Sequence, residues 1–532
     1  MPIGSALVTR DASTLLAELE TRLRPLHVAL NRAWWDANVA ATEANEARRR
    51  DAELALREAL GDPATFAEVR DALDRAAPGT PERRQLELVW REMLPHQVDP
   101  ERRRRLVELE TRVEAVFNTH RGEIDGERVD DNRIAEILRT SDDADLRRAA
   151  WEASKTVGAE AAPLVLELVG LRNQCARDLG FRDHYAMALA LAELDEARLN
   201  ATFDEVQALT DAPFEAWKAA YDRRLAARFG CSAEELRPWH LGDTFFQEPP
   251  PLEGVDLDAH FATRDVVELA AVTFDGIGLD VRPVLARSDL FAREGKSQHA
   301  FCIDIDRAGD IRVLANVVAN ERWAETMLHE LGHAAYDAGI DPTLPFLLHG
   351  PAHMLVTEAV AMMFGALARD PAWLRSVGGM APAEVDAAAP ALTAGRRAAG
   401  LVMARWMLVM CRFERDLYRE PEGDHGRRWW DLVESIQLVH RPDGHRPTDW
   451  AAKIHLAVAP VYYQNYLLGE LVAAQLRRRI DDAHGGLVGN PEAGRFLRDA
   501  VFAPGMGTRW DHLVAAATGE PLTARHFAAS VG

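Results

Sequence analysis

Apolar residues recur at helical spacing from Ser13 to about Leu60, with Leu15, Leu16, Leu19, Leu23, Leu26 and Leu30 set among Glu, Arg and Ala. The spacing predicts one long amphipathic helix, kinked at Pro25. The same pattern fills residues 64–76, 81–95, 99–120, 132–156, 160–179 and 194–228, separated by breakers such as Gly61-Asp62-Pro63 and Pro78-Gly79-Thr80. The N-terminal half therefore reads as almost entirely helical. Between Pro238 and Asn320 the texture changes. Glu248-Pro249-Pro250-Pro251 with Gly254 is a loop, and Gln298 to Ile305, Asp306 to Asp310 and Ile311 to Val317 read as strand, turn and strand. Helical texture resumes at Glu321 and continues to the end, with breaks near Pro342, Pro382, Pro421 and Pro442. No internal repeat of fixed period is visible.

Composition narrows the classes of partner. The 532 residues are 48% hydrophobic and 27% charged, enough to bury a large core and unlike a disordered chain. Lys and Arg number 62 against 84 Asp and Glu, a net charge of −22 that repels phosphate backbones and anionic lipid headgroups. Neither nucleic acid nor a membrane is expected as a partner. The arginine runs 48–50 and 102–105 lie among Glu43, Glu46, Asp51, Glu101 and Glu108 and read as solvated helix faces. Cys175, Cys231, Cys302 and Cys411 are widely spaced, as expected of reduced and mostly buried thiols. No stretch approaches eighteen uninterrupted apolar residues. The first residues lack a basic, then apolar, then small-residue pattern, so no secretory signal is read and a cytoplasmic location is expected.

The chemistry concentrates after Glu321, where His329-Glu330-Leu331-Gly332-His333 forms an H-E-x-x-H motif. On a helix, residues four apart lie about 40° apart around the axis, so both imidazoles can face one metal. Composition alone predicts about 0.1 chance occurrences in a chain of this length, so context has to decide. Asn320 is suited to cap this helix, Glu321 to its first turn and Gly339 to its stop. A catalytic zinc takes three protein ligands and keeps one position open. Glu358, 25 residues after His333, opens an apolar helix where a carboxylate is otherwise costly to bury. The reading makes His329, His333 and Glu358 the Zn2+ ligands. His349 and His353 are rival donors, read instead as loop residues or supports of the ligands. Glu330, left without a ligand role, would take a proton from a water whose pKa the zinc lowers toward about 7, as that water attacks an amide carbonyl. The resulting oxyanion needs further donors, of the Tyr or His kind.

Around this motif the chain resembles the angiotensin-converting-enzyme-like family of zinc peptidyl-dipeptidases. Four segments agree in order. Pro238 to Gln247 is similar to the family's segment ending in a carboxylate-binding glutamine, and Gln298-His299-Ala300 to its substrate-binding strand. The third is the zinc segment. The last, Ala452-Lys453-Ile454-His455 followed by Tyr462-Tyr463-Gln464-Asn465-Tyr466, resembles the family's Lys-x-His and Tyr-x-x-Tyr pair. The resemblance runs from about Arg147 to about Leu471 and is weaker at Trp34 to Asn38. It implies that His455 and Tyr466 hydrogen-bond the oxyanion, that His299 and Ala300 hold the peptide backbone, and that Lys453, Tyr463 and Gln247 receive the substrate's terminal carboxylate. Three departures stand out. Met362 occupies the position four residues after Glu358 where the family usually has an acid, and Asn465 replaces an arginine linked to chloride activation. The spacing from His455 to Tyr466 is one residue longer, which lets Tyr462 and Tyr463 exchange roles.

The resemblance implies a mostly α, two-lobed helical gluzincin fold with a deep central channel and a short β-hairpin beside the zinc helix. One continuous unit, 1–532, is expected, with 1–230 as helical lobe and channel cover, 231–475 as zinc- and substrate-binding core, and 476–532 as C-terminal helices. The expected activity is hydrolysis of short peptides with release of C-terminal dipeptides. An oligopeptidase resembling the thimet group shares the motif, the downstream glutamate and a His followed by tyrosines, but cuts internally; Gln247 and Lys453 separate the two. A metallocarboxypeptidase would hold the carboxylate closer to zinc. A silent zinc-containing peptide-binding scaffold fits poorly, because a structural site usually closes its fourth position with a protein donor and gives Glu330 no role.

Overall fold

The computed structural model describes residues 11–252, 254–444 and 446–532, so the first ten residues, on which the reading of no signal rests, lie outside the described ones. The chain is mostly α, and its strands form two small antiparallel hairpins. Among the described residues no helix is long and apolar enough to cross a membrane. The four cysteines are free, with Cys175 and Cys411 buried.

The helix expected from Ser13 to Leu60 is in fact two, Ala12–Val39 and Glu43–Leu60, with Pro25 absorbed inside the first. No Gly or Pro marks the break at 40–42. Instead Asn45 turns its amide back onto the carbonyls of Asp36 (3.1 Å) and Ala40 (2.7 Å), while Thr42 caps the second helix by accepting the Asn45 N–H. A side chain competing for backbone groups ends a helix where hydrophobic spacing cannot show it. The window 132–156 likewise divides into Asp131–Thr140 and Ala144–Lys155, the second capped by Asp143. The N-terminal half also holds an unexpected hairpin, β1 (Gly122–Ile124) and β2 (Glu127–Val129). Its turn, Asp125-Gly126, has φ of 52° and 82°, the left-handed pair that Asp-Gly favours in two-residue hairpins.

The expected second hairpin is present as β3 (Phe301–Asp304) paired with β4 (Ile311–Leu314), Asp304 lying opposite Ile311. Gln298-His299-Ala300 forms a bend before β3 and not its first residues. The Ser297 N–H donates to the Asn38 carbonyl (2.8 Å) and the Asn316 amide to the Ser297 carbonyl (2.9 Å). These bonds tie the approach to β3 to neighbouring segments and not to a ladder.

The chain divides into two compact units, each drawn from three separated segments. The first comprises Met1–Gln97, Asp256–Ala387 and Val472–Leu522. Its N-terminal helices bury Leu15, Leu19 and Leu23 against Leu86, Val89, Met93 and Phe346, each such side chain stabilising the unit by about 1.5–3 kcal/mol. The second comprises Val98–Val255, Ala388–Leu471 and Thr523–Gly532, with Trp151, Trp406, Trp450, Phe203 and Phe214 fully buried. Its last helix, Arg525–Val531, packs so closely on Gly400 that a Cβ there would lie 2.6 Å from a Val531 methyl.

Candidate functional site

In the first unit the H-E-x-x-H motif lies on the helix Glu321–Gly339, whose N-terminus Asn320 caps by accepting the Trp323 N–H (2.9 Å). The Leu328, Leu331 and Ala335 face is buried, which fixes the helix rotation and turns His329 and His333 to the opposite side. A second helix, Met354–Gly365, packs against it. Gly332 makes that approach possible, since a Cβ at this position would lie 2.8 Å from the Ala361 Cα. Close packing of the two helices delivers Glu358 to the histidines. His329 Nε2 lies 3.7 Å from one Glu358 oxygen and His333 Nε2 3.9 Å from the other. Ligand atoms of the three residues lie within 4.8 Å of one another.

This donor set suits a divalent metal. Two atoms coordinated to a tetrahedral zinc at ordinary bond lengths lie roughly 3.3 Å apart, close to the spacings here. Burial lowers His329 to about 4, and burial with the neighbouring His329 lowers His333 to about 3, so both rings are neutral near pH 7 and keep a lone pair for a metal. Burial raises the Glu358 carboxyl, and no cationic side chain among the described residues offsets it. A partly buried carboxylate beside two neutral imidazoles is a site that a cation would stabilise.

Glu330, 7% exposed, points into the same region, and its carboxyl accepts the backbone N–H of Cys302 on β3. Burial and the Glu358 charge push it up to about 8. The His333 Nδ1 lies 2.7 Å from the Thr357 hydroxyl. That hydroxyl occupies the supporting role that Met362 cannot fill, and no spacing along the chain signals it, because the contact depends on how the two helices are rotated. His353 caps the Glu358 helix, its Nδ1 accepting the Leu355 N–H (3.0 Å). His349 is buried and, like His353, lies outside the converging group. His299 is exposed and Ala300 partly buried, both in the bend before β3.

In the second unit the structure brings together the other predicted side chains. Lys453 Nζ donates to Gln247 Oε1 at 2.7 Å, across 206 residues of chain. The ammonium also sits 5.3 Å from the Phe245 ring centre and 5.1 Å from that of Trp406, within cation–π range. Burial lowers Lys453 to about 8. Gln247 is held by a tightly bonded loop. The partly buried Asp243 carboxylate accepts the N–H groups of Phe245, Gln247 and Glu248, and the Gln437 amide donates to the carbonyls of Phe245 and Phe246. Thr244 offers its carbonyl to both Trp151 and Lys155.

His455 opens a short helical turn, and Tyr463 packs against it with ring centres 5.4 Å apart. Tyr463 is 4% exposed, accepts a bond from the Trp406 indole and lies 5.8 Å from the Tyr466 ring. Tyr462 meets Tyr466 instead, at 5.2 Å. Burial lowers His455 and raises Tyr463, so near neutral pH the first is uncharged and the second keeps its phenolic proton. Trp406, Asp243 and Gln437 were not anticipated. Asp243 alone carried a signal, as an Asp at the start of a loop whose N–H groups need acceptors.

Comparison with known proteins adds an independent line. Residues 8–233 match the family model described as angiotensin-converting enzyme. No curated protein matches the chain. The matched segment ends before His329, so the convergence of His329, His333 and Glu358 stands on its own geometry. Over residues 8–233, less than half of its length, the chain is thus similar to the angiotensin-converting-enzyme family, a match that supports an enzyme of that peptidase kind.

Proposed function

We propose that the protein is a zinc peptidase of short peptides that releases C-terminal dipeptides. The observation that carries the hydrolytic part is a buried Glu330 beside three convergent donors to which it does not belong. When bound, zinc supplies Lewis acidity and lowers the pKa of an attacking water. His329, His333 and Glu358 would hold it. Glu330, oriented by the Cys302 N–H, takes the proton from the attacking water and passes it to the leaving nitrogen. His455 and Tyr466 have the oxyanion-donor role, and His299 and Ala300 the peptide-backbone role, that the resemblance implies.

The exopeptidase part rests on the pairing of Lys453 with Gln247. A cation and an amide hydrogen-bonded to each other suit a terminal carboxylate, with Tyr463 as a neighbouring phenol. The partners are short peptides, and the proposed location is cytoplasmic.

The direct test is mass spectrometry of the products from an N-blocked decapeptide with a free C-terminus, beside its C-terminal amide, with and without a zinc chelator. Chelator-sensitive dipeptide release from the free acid alone is expected. Internal cuts in both peptides would move the protein to a thimet-type activity, and release of single residues to a carboxypeptidase.

The Thr357 hydroxyl supplies a further test. With Nδ1 of His333 donating to it, Nε2 keeps the lone pair that a metal needs. Thr357→Val keeps the shape and removes the acceptor, and is expected to weaken zinc affinity by about 10–100-fold. Competition with a chromogenic chelator measures it; native affinity in the variant would release Thr357 from this role.

A further inference from the structure

The segment between Lys453 and Tyr466 is anchored at two buried points of the second unit, and they differ in kind. At one, Arg172, 4% exposed, donates to the carbonyls of Leu456 and Ala457 at the end of the His455 turn, and is itself tied to Glu110 and the Tyr418 hydroxyl. At the other, Glu414, 2% exposed on the helix Pro382–Arg419, accepts the Val461 N–H at 2.8 Å. Val461 has a φ of 53°, a left-handed conformation that a β-branched residue adopts only when its surroundings impose it. Its carbonyl is held as well, by the Gln464 amide at 2.5 Å. The turn at Val461 lies directly between the His455 turn and the helix Tyr463–His484 that carries Tyr463 and Tyr466.

We propose that Glu414 is a positioning residue whose buried carboxyl holds the left-handed turn at Val461 and thereby sets Tyr463 beside His455 and Tyr466 against Tyr463. The proposal rests on the reading of those three side chains as substrate- and oxyanion-binding groups. Glu414 has no part in the zinc site or the carboxylate seat, and the Arg172 charge acts on it from the other anchor. Burial pushes it up to about 8 against the opposing pull of the Val461 N–H and the Arg172 charge, and one of its oxygens accepts that N–H. Glutamine offers the same oxygen, and leucine of similar size offers none.

Two readouts separate positioning from core packing. The first is amide hydrogen exchange, by mass spectrometry, of peptides covering 458–466. The second is turnover of the free-acid decapeptide in a cycle that combines Glu414→Leu with Val461→Gly, because glycine adopts the turn without strain. Glu414→Leu is expected to lose the protection and to lower kcat by about 10–100-fold, as a misplaced catalytic group would. Glu414→Gln is expected to keep both. In the Val461→Gly background the loss caused by Glu414→Leu is expected to shrink to less than about threefold. Unchanged protection in Glu414→Leu, or equal kcat losses in both backgrounds, would overturn the proposal. Should Glu414→Leu fail to fold, the double variant is expected to fold, and failure of both would also overturn it by assigning Glu414 to the core. If the native protein cleaves no peptide, the peptidase reading fails, while exchange still judges Glu414 by itself.

Discussion

Glu330→Gln is expected to lower kcat by about 10²–10⁴-fold, the usual contribution of a general base, while the protein still takes up zinc. The residue is 7% exposed and lies next to a proposed ligand without being one. A glutamine fills the same volume and still accepts the Cys302 N–H, so neither the helix nor β3 has reason to move. What it cannot do is take a proton. Burial already disfavours the charged form of this carboxyl, raising it to about 8, so its replacement by a neutral amide is expected to cost no folding. Zinc content by elemental analysis and single-turnover rates on the free-acid decapeptide check both halves. Near-native turnover with zinc bound would remove Glu330 as the base.

The second large effect is expected at Lys453. Lys453→Met keeps an unbranched apolar stem against Phe245 and Trp406 but deletes the charge, and hydrogen bonds to charged groups contribute about 1.5–3 kcal/mol. The variant is expected to lose about 10–100-fold in kcat/KM on the free acid and, like the native protein, to release no dipeptide from the amide. A pH profile of the native protein gives the same answer by another route. Burial lowers Lys453 to about 8, so its own contribution to kcat/KM on free acids, which reports the unliganded enzyme, is expected to be constant below that pH. Above it the rate falls about tenfold per pH unit, and Lys453→Met lacks this limb. Unfolding through this group does not explain such a fall. Its folded pKa is depressed from the ordinary 10.5, so between about 8 and 10.5 the unfolded chain binds the extra proton. Its contribution to stability therefore improves as pH rises through that window. A profile with no limb near 8 on the free acid would detach Lys453 from substrate binding.

What the sequence made legible was local. H-E-x-x-H carries its geometry within one helix, and Asn320 and Gly339 mark that helix's ends, so two of the three converging residues follow from spacing. Glu358 is legible from the oddity of a carboxylate in Met354–Gly365, a helix with Leu355, Val356, Ala359 and Val360 fully buried. The Lys453–Gln247 pair spans 206 residues, and no periodicity links them; only resemblance to a family suggested it. Thr357 and Glu414 were invisible because their roles depend on helix rotation and on one residue's backbone angle. The same limit explains the fold. Helix content follows from apolar spacing, whereas the break at 40–42 is made by the Asn45 side chain, and the β1–β2 hairpin by the left-handed preference of Asp125-Gly126.

The division into two units, each assembled from three segments, bears on how the protein can be made. The segment boundaries fall at residues 97, 255, 387, 471 and 522, so the chain changes unit five times. A ribosome that has released the first 471 residues has delivered the proposed metal ligands, yet the unit holding them still lacks Val472–Leu522. The other unit waits longer, for the helix Arg525–Val531 that packs on Gly400. Domains usually fold one after another as they emerge. Here the first unit cannot close before Val472–Leu522 has emerged, nor the second before Thr523–Gly532, so the apolar faces of the earlier helices wait uncovered in the meantime.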